Sequence, residues 1–179
     1  DEQFRYIEQM REKFAGEKNP AISVDAKKKG NIGDFRNSGA AWQRNAIPVK
    51  DHDFPSDAKG KATPCGVYDI QNNEGAVFLG TSRDTPAFAV DSIAMWWKIR
   101  GKKQYPNSDR LLIPADSGGS NSIRSRVWKH GIREKLCNQF GLSVPVSHYP
   151  PGASKWNPTE HRLFSEISKN RAGRPPDSY

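Results

Sequence analysis

His148-Tyr149-Pro150-Pro151-Gly152-Ala153-Ser154-Lys155-Trp156-Asn157-Pro158-Thr159-Glu160-His161-Arg162-Leu163-Phe164 reads as a strand end, a rigid loop and the start of a helix. Asn157 is a favourable cap, and Pro158 suits the first helical position, where an N–H would have no partner anyway. Leu163, Phe164 and Ile167 follow at helical spacing. On a regular α-helix this puts Glu160 on the face of the apolar stripe, aimed at a core. A carboxylate there costs free energy unless it is paired or bound. Asn157-x-x-Glu160 also fits a capping box, in which the glutamate folds back on the helix start and needs no ligand.

Working outward, Leu111-Leu112-Ile113-Pro114-Ala115 is a continuous apolar run, as in a strand covered on both faces, and it ends at Asp116. A tight Ser117-Gly118-Gly119-Ser120-Asn121 loop leads to a helix from about Ser122 to Phe140, with a break expected at Gly131 and a stop at Gly141. Leu142, Val144 and Val146 alternate as a short last strand that Pro145 pushes toward an edge. Upstream, Thr85-Pro86 opens a helix carrying Val90, Ile93, Ala94 and Trp97, closed by Gly101. Gly66–Ile70 and Ala76–Leu79, joined through Asn72-Asn73-Glu74-Gly75, form a β-hairpin. Ala21–Asp25 alternates as the first strand. Phe4, Ile7, Met10, Arg11 and Phe14 mark one face of an opening helix ending near Gly16; it lacks a start signal, so an upstream segment is expected.

The order is β, β-hairpin, α, β, α, β, α. It predicts an α/β architecture, a mixed five-stranded sheet flanked by helices. The expected organisation is a linker helix over 1–20, a main domain over 21–170 with an irregular Lys-, Gly- and Pro-rich insertion at about 30–63, and a truncated basic tail over 171–179.

The 179 residues suffice for one sizeable core, filled by 5 Trp and 8 Phe. The net charge of +8 favours an anionic partner, nucleic acid being the commonest, although solubility alone also accounts for it. No apolar run is long enough to span a bilayer and no secretory signal is visible, so no membrane partner is expected. Cys65 and Cys137 lie in no metal or disulfide pattern, which fits a reducing, cytoplasmic setting.

Three acidic residues sit at ends of ordered elements: Asp25 after the first strand, Asp116 after the buried strand, and Glu160 on the last helix. Ligand sites in α/β sheets gather beyond the strands' carboxyl ends. Converging carboxylates repel one another unless hard divalent cations neutralise them, and two such ions suit in-line phosphoryl transfer. Each residue also has an ordinary reading, Asp25 and Asp116 as turn residues and Glu160 as a capping residue.

Ser23-Val24-Asp25-Ala26-Lys27-Lys28-Lys29, Pro114-Ala115-Asp116-Ser117-Gly118-Gly119-Ser120-Asn121, Gly66-Val67-Tyr68-Asp69-Ile70 and above all the Pro150-to-Phe164 block resemble the DDE catalytic domain of bacterial insertion-sequence transposases. The pattern is similar to the Rhodopirellula-type transposase DDE family, distantly mariner-like, over nearly the whole chain. The resemblance implies an RNase H-like fold. It also implies a metal-binding triad of Asp25, Asp116 and Glu160 holding two Mg²⁺, with Mn²⁺ able to substitute, and cleavage at transposon ends followed by strand transfer into target DNA. Family members carry an upstream helix-turn-helix region, so this chain is expected to be a catalytic core acting as a homo-oligomer on DNA, cytoplasmic and nucleoid-associated when bound. Two other readings stay open: an RNase H-like nuclease without strand transfer, and a non-catalytic DNA-binding fragment.

Lys27, Lys28 and Lys29 beside Asp25, Arg124 and Arg126 after Asp116, and Lys155 and Arg162 beside Glu160 are the candidate phosphate contacts. The lysine run is equally well a solvated face. On a regular helix His161 is turned about 100° from Glu160, away from a shared ligand. His148 and Trp156 could approach DNA or serve structure alone. Trp96, Trp97 and Trp128 read as core.

Overall fold

Strand β1 (Ile22–Ala26) buries Ile22 and Val24 in this computed structural model, which describes residues 2–81, 84–116, 118–150, 152–153 and 156–178. A second, short strand, β2 (Gly30–Ile32), comes from the segment expected to be irregular. Strand β3 (Gly60–Asp69) pairs antiparallel with both, setting Asp25 opposite Gly66 and Gly30 opposite Ala62. It also pairs with β4 (Glu74–Gly80), which completes the expected hairpin.

On the free edge of β1 lie β5 (Ile113–Ala115) and β6 (Val146–His148), a parallel pair. One bridge, Ala21 to Leu112, joins them to β1. The single five-stranded sheet expected from the sequence is therefore divided into a four-stranded and a two-stranded ladder. The next residue of β5 turned toward β1 is Pro114, which has no N–H to continue the ladder. There the Val24 carbonyl accepts a hydrogen bond from Asn121 Nδ2 (2.8 Å) instead of from β5. Strand β6 also starts later than expected. Pro145 has no N–H to give, and only an isolated bridge from Ser143 to Arg110 precedes it.

Helix α1 (Glu2–Gly16) turns Phe14 onto Ala21 and Leu112, and Ile7 onto Tyr149 and Ala153. Helix α2 (Pro86–Trp96) is capped by Thr85, whose Oγ1 accepts from the Phe88 N–H (3.2 Å). It does not stop at Gly101. A π-helical turn over Trp97–Gly101 leads into α3 (Lys102–Gln104), and a Cβ at Gly101 would stand 2.9 Å from the Trp96 ring, so this glycine serves packing rather than termination. Helix α4 (Arg126–Ile132) begins later than Ser122 because Ser125 is its cap, accepting from the Trp128 N–H (3.1 Å). It is unbroken at Gly131, which sits against Val90, and continues π-helically over Arg133–Asn138. Gly141 then turns the chain with φ +71°.

Alternation along the sheet decides what covers each face. Ile22, Val24, Cys65 and Val67 face Ala89, Val90, Ile93, Trp96, Trp128 and Leu136 of α2 and of the helix begun by α4; this is the main core. The opposite face, with Ser23, Asp25 and Gly66, receives a π-helical segment, Thr159–Phe164, that runs into α5 (Ser165–Asn170). That approach depends on missing side chains. A Cβ on Gly66 would lie 2.7 Å from Thr159 Cγ2, and one on Gly75 would collide with Leu163. Among the described residues no helix is long and apolar enough to cross a membrane.

Candidate active site

The π-helical turn changes where Glu160 points. In such a turn residues five apart stack, and Thr159 and Phe164 are the pair that is buried. Glu160, expected to aim at the core, is instead exposed on the wall of a cleft. It folds back on no helix-start amide among the described residues, so the capping box is not formed. The cap is Asn157 alone, whose Oδ1 accepts from the Thr159 N–H (3.1 Å).

The cleft, about 420 Å³, is lined by Asp25, Lys27, Lys28, Glu160, His161 and Phe164, among others. Asp25 is half-buried at the end of β1, with its Oδ1 accepting from the Ala26 N–H (2.9 Å). His161 shares the cleft wall with Glu160, contrary to the divergence expected of a regular helix. Lys27 is held at the rim: its Nζ donates to Ser168 Oγ (2.8 Å) and lies 5.7 Å from the Phe164 ring centroid.

Asp116 follows β5 and is also half-buried. It does not line the cleft, but Asn157 Nδ2 donates to its Oδ2 (3.4 Å). The three carboxylates nevertheless share one electrostatic environment. Burial first, then the charge of Asp116, pushes the Asp25 carboxyl from 3.8 up to about 6; Glu160 and Asp84 add to this, and the Ala26 N–H opposes it. Burial also raises Asp116, with Glu160 adding and the Asn157 hydrogen bond opposing. Among the described residues no ion pair compensates any of the three carboxylates, and no three His, Cys, Asp or Glu side chains are already drawn together closely enough to hold an ion. Oxygen-only donors whose charged forms are disfavoured by burial and neighbouring carboxylates, as at Asp25 and Asp116, are the type that a hard divalent cation would stabilise.

The other candidates divide. Lys29, Arg124, Arg126 and Arg162 do not line the cleft, and Arg124, Arg126 and Arg162 are exposed. Lys155 lies outside the described residues. His148 faces the Asn121 carbonyl (Nε2 to O, 3.1 Å), and Trp156 packs edge-on against Phe4 (5.7 Å between centroids). Trp96, Trp97 and Trp128 are core, as expected.

Sequence reasoning missed a buried polar cluster beneath the carboxylates: Ser23, Asn121, Asn157 in more than its capping role, and Thr159. The available signal was Ser23, which alternation puts on the same face of β1 as Asp25. It missed Gly66 as well, although a strand glycine flags close backbone approach. Asp84, just ahead of the α2 cap, carried no signal at all.

The family model for the Rhodopirellula transposase DDE domain matches residues 1–179. The chain belongs to this family. Among solved structures, the DDE domain is similar to the Mos1 transposase paired-end complex with left transposon end (TM-score 0.59, 11% identity, covering 99% of this chain and 50% of that one). It is also similar to the mariner Mos1 paired-end complex with Mg (TM-score 0.56, 14% identity, 92% of this chain and 47% of that one). The Mos1 mariner paired-end complex with Mn gives a TM-score of 0.54 at 15% identity, over 99% of this chain and 50% of that one. At these identities the likeness is one of fold, and the DDE domain spans about half the length of those chains. No curated protein sequence matches.

Proposed function

We propose that residues 21–170 form an RNase H-like catalytic core of a DNA transposase, in which Asp25, Asp116 and Glu160 hold two divalent cations, Mg²⁺ or Mn²⁺. The observation carrying this reading is that carboxylates from β1, β5 and the π-helical turn, without an ion-pair partner among the described residues, lie near enough to feel one another: burial first and then the charge of Asp116 lift Asp25 to about 6, and Glu160 adds to the rise of both Asp25 and Asp116. Membership of a transposase DDE family, and likeness to Mos1 chains in complexes with a transposon end, with Mg and with Mn, support it. When bound, the ions would supply an activated attacking oxygen and charge stabilisation on the leaving oxygen.

The residues of the chain do the positioning. Lys27, braced by Ser168 and Phe164, presents its ammonium at the rim of the cleft, where a scissile-strand phosphate would lie. Lys28 lines the same cleft, and the net charge of +8 supplies attraction for the DNA backbone. Lys29, Arg124, Arg126, Lys155 and Arg162 would contact more distant phosphates. The partners would be transposon ends and target DNA, engaged by a homo-oligomer in the cytoplasm.

The test uses a supercoiled plasmid and a 3′-hydroxyl oligonucleotide with the purified chain in Mn²⁺. Nicking and oligonucleotide joining are expected, and both should fall at least a hundredfold in Asp116→Asn and in Glu160→Gln. Nicking without joining would leave a nuclease. Equal activity in wild type and Asp116→Asn would overturn the assignment of the site.

A further inference from the structure

One amide touches the elements that carry all three carboxylates. Asn157 is only 2% exposed, yet each polar atom of its side chain has a partner in a different part of the fold. Its Oδ1 accepts from Ser23 Oγ (2.9 Å) and from the Thr159 N–H (3.1 Å). Its Nδ2 donates to Asp116 Oδ2 (3.4 Å). Thr159 Oγ1 in turn donates to Ser23 Oγ (2.9 Å), so the donors run in one direction from Thr159 through Ser23 to Asn157. Ser23 is 1% exposed and Thr159 fully buried.

The orientation of the amide follows from the chemistry of its partners. The Thr159 backbone N–H can only donate, so the atom facing it must be the amide oxygen. The nitrogen is thereby turned to Asp116. Ser23 lies two positions before Asp25 on the same strand face, and Asn157 three before Glu160 on the same turn. A helix cap alone would need only the bond to the Thr159 N–H, which a serine provides as well. The bonds to Ser23 and Asp116 are surplus to capping.

We propose that Asn157, with Ser23 and Thr159, is a positioning residue that ties the strand end of Asp25, the strand end of Asp116 and the turn of Glu160 to one another, so that the three carboxylates can close on a divalent cation. This rests on the carboxylate site proposed above. Outer hydrogen-bond partners of metal ligands typically set affinity by ten- to a hundredfold.

Calorimetric titration with Mn²⁺ alone, below the melting temperature of every variant, tests it. Asn157→Ser keeps the cap and loses the links to Ser23 and Asp116; its Mn²⁺ Kd is expected to rise about tenfold or more. Ser125→Ala, which removes the cap of α4 away from the cleft, should lower thermal stability comparably and leave Kd within twofold. A merely structural Asn157 would give the same Kd as wild type, and that result overturns the proposal. Should Asn157→Ser not fold, Ser23→Ala, which leaves the cap in place, carries the test: Kd raised severalfold supports positioning, and Kd unchanged refutes it. Asp116→Asn separates the two levels. If it leaves Mn²⁺ binding intact, the carboxylate site itself falls; if it abolishes binding while Asn157→Ser does not, only the positioning role falls.

Discussion

Replacing Asp25 by asparagine should make the metal-free protein more stable at neutral pH. The carboxyl ordinarily ionises at 3.8 and is pushed up to about 6 here, mainly by burial and by Asp116. That displacement corresponds to about 3 kcal/mol working against the charged form in the folded state. Solvent reaching the half-buried side chain reduces this to roughly 1–2 kcal/mol. The sign follows from linkage. Between about pH 4 and 6 the folded protein holds a proton that the unfolded chain has lost, so stability falls as pH rises through that window and stays low above it. The asparagine side chain carries no charge at any pH, and its amide oxygen can still accept from the Ala26 N–H, as the Asp25 Oδ1 does. For a chain of this size the expected gain in Tm is about 3–6 °C at pH 7.5 in EDTA, shrinking toward zero near pH 4. Thermal unfolding by circular dichroism at several pH values reads this directly. Saturating Mg²⁺ should reverse the ranking, because only the wild-type site gains binding free energy from the folded state. A variant that melts lower than wild type at pH 7.5 without metal, or whose gain is the same at pH 4 and 7.5, would refute the electrostatic account.

Gly66→Ala puts a methyl 2.7 Å from Thr159 Cγ2 and 3.0 Å from Leu163 and Phe164, so it should destabilise by about 1–3 kcal/mol, measured by urea unfolding. Adding Thr159→Ser removes the colliding methyl while keeping the hydroxyl that donates to Ser23, and should restore part of the loss; strict additivity of the two changes would sink the steric argument. Lys27→Ala should weaken binding to random-sequence duplex and lower the slope of log K against log salt by about 1, with little effect on folding. An unchanged slope would mean that Lys27 touches no phosphate.

What the sequence made legible was whatever a single element could announce. The apolar run 111–115 identifies a buried strand, and the residue ending it is Asp116. The alternation over 21–25 delivers Asp25 and its neighbour Ser23 to the same face. What stayed hidden depends on elements meeting. Asn157 reads as an ordinary cap because the hydroxyl of Ser23, 134 positions away, cannot be assigned to it from spacing. Glu160 leaves the side that its spacing predicts because 3.6-residue periodicity does not hold through Thr159–Phe164, where the wider turn buries residues five apart. Two π-helical turns, Trp97–Gly101 and Arg133–Asn138, belong to the helices on the other face of the sheet, but three departures gather near the carboxylates. The sheet loses its ladder where Val24 bonds Asn121, the helix loosens where Glu160 leaves it, and β3 gives up a side chain at Gly66 opposite Asp25. Each weakens a regular element, and each lies beside one of the carboxylates. Local rules fail most where a fold serves something other than its own stability. Three of the failures here lie beside Asp25 and Glu160, where the proposed site would need the backbone to yield to its side chains.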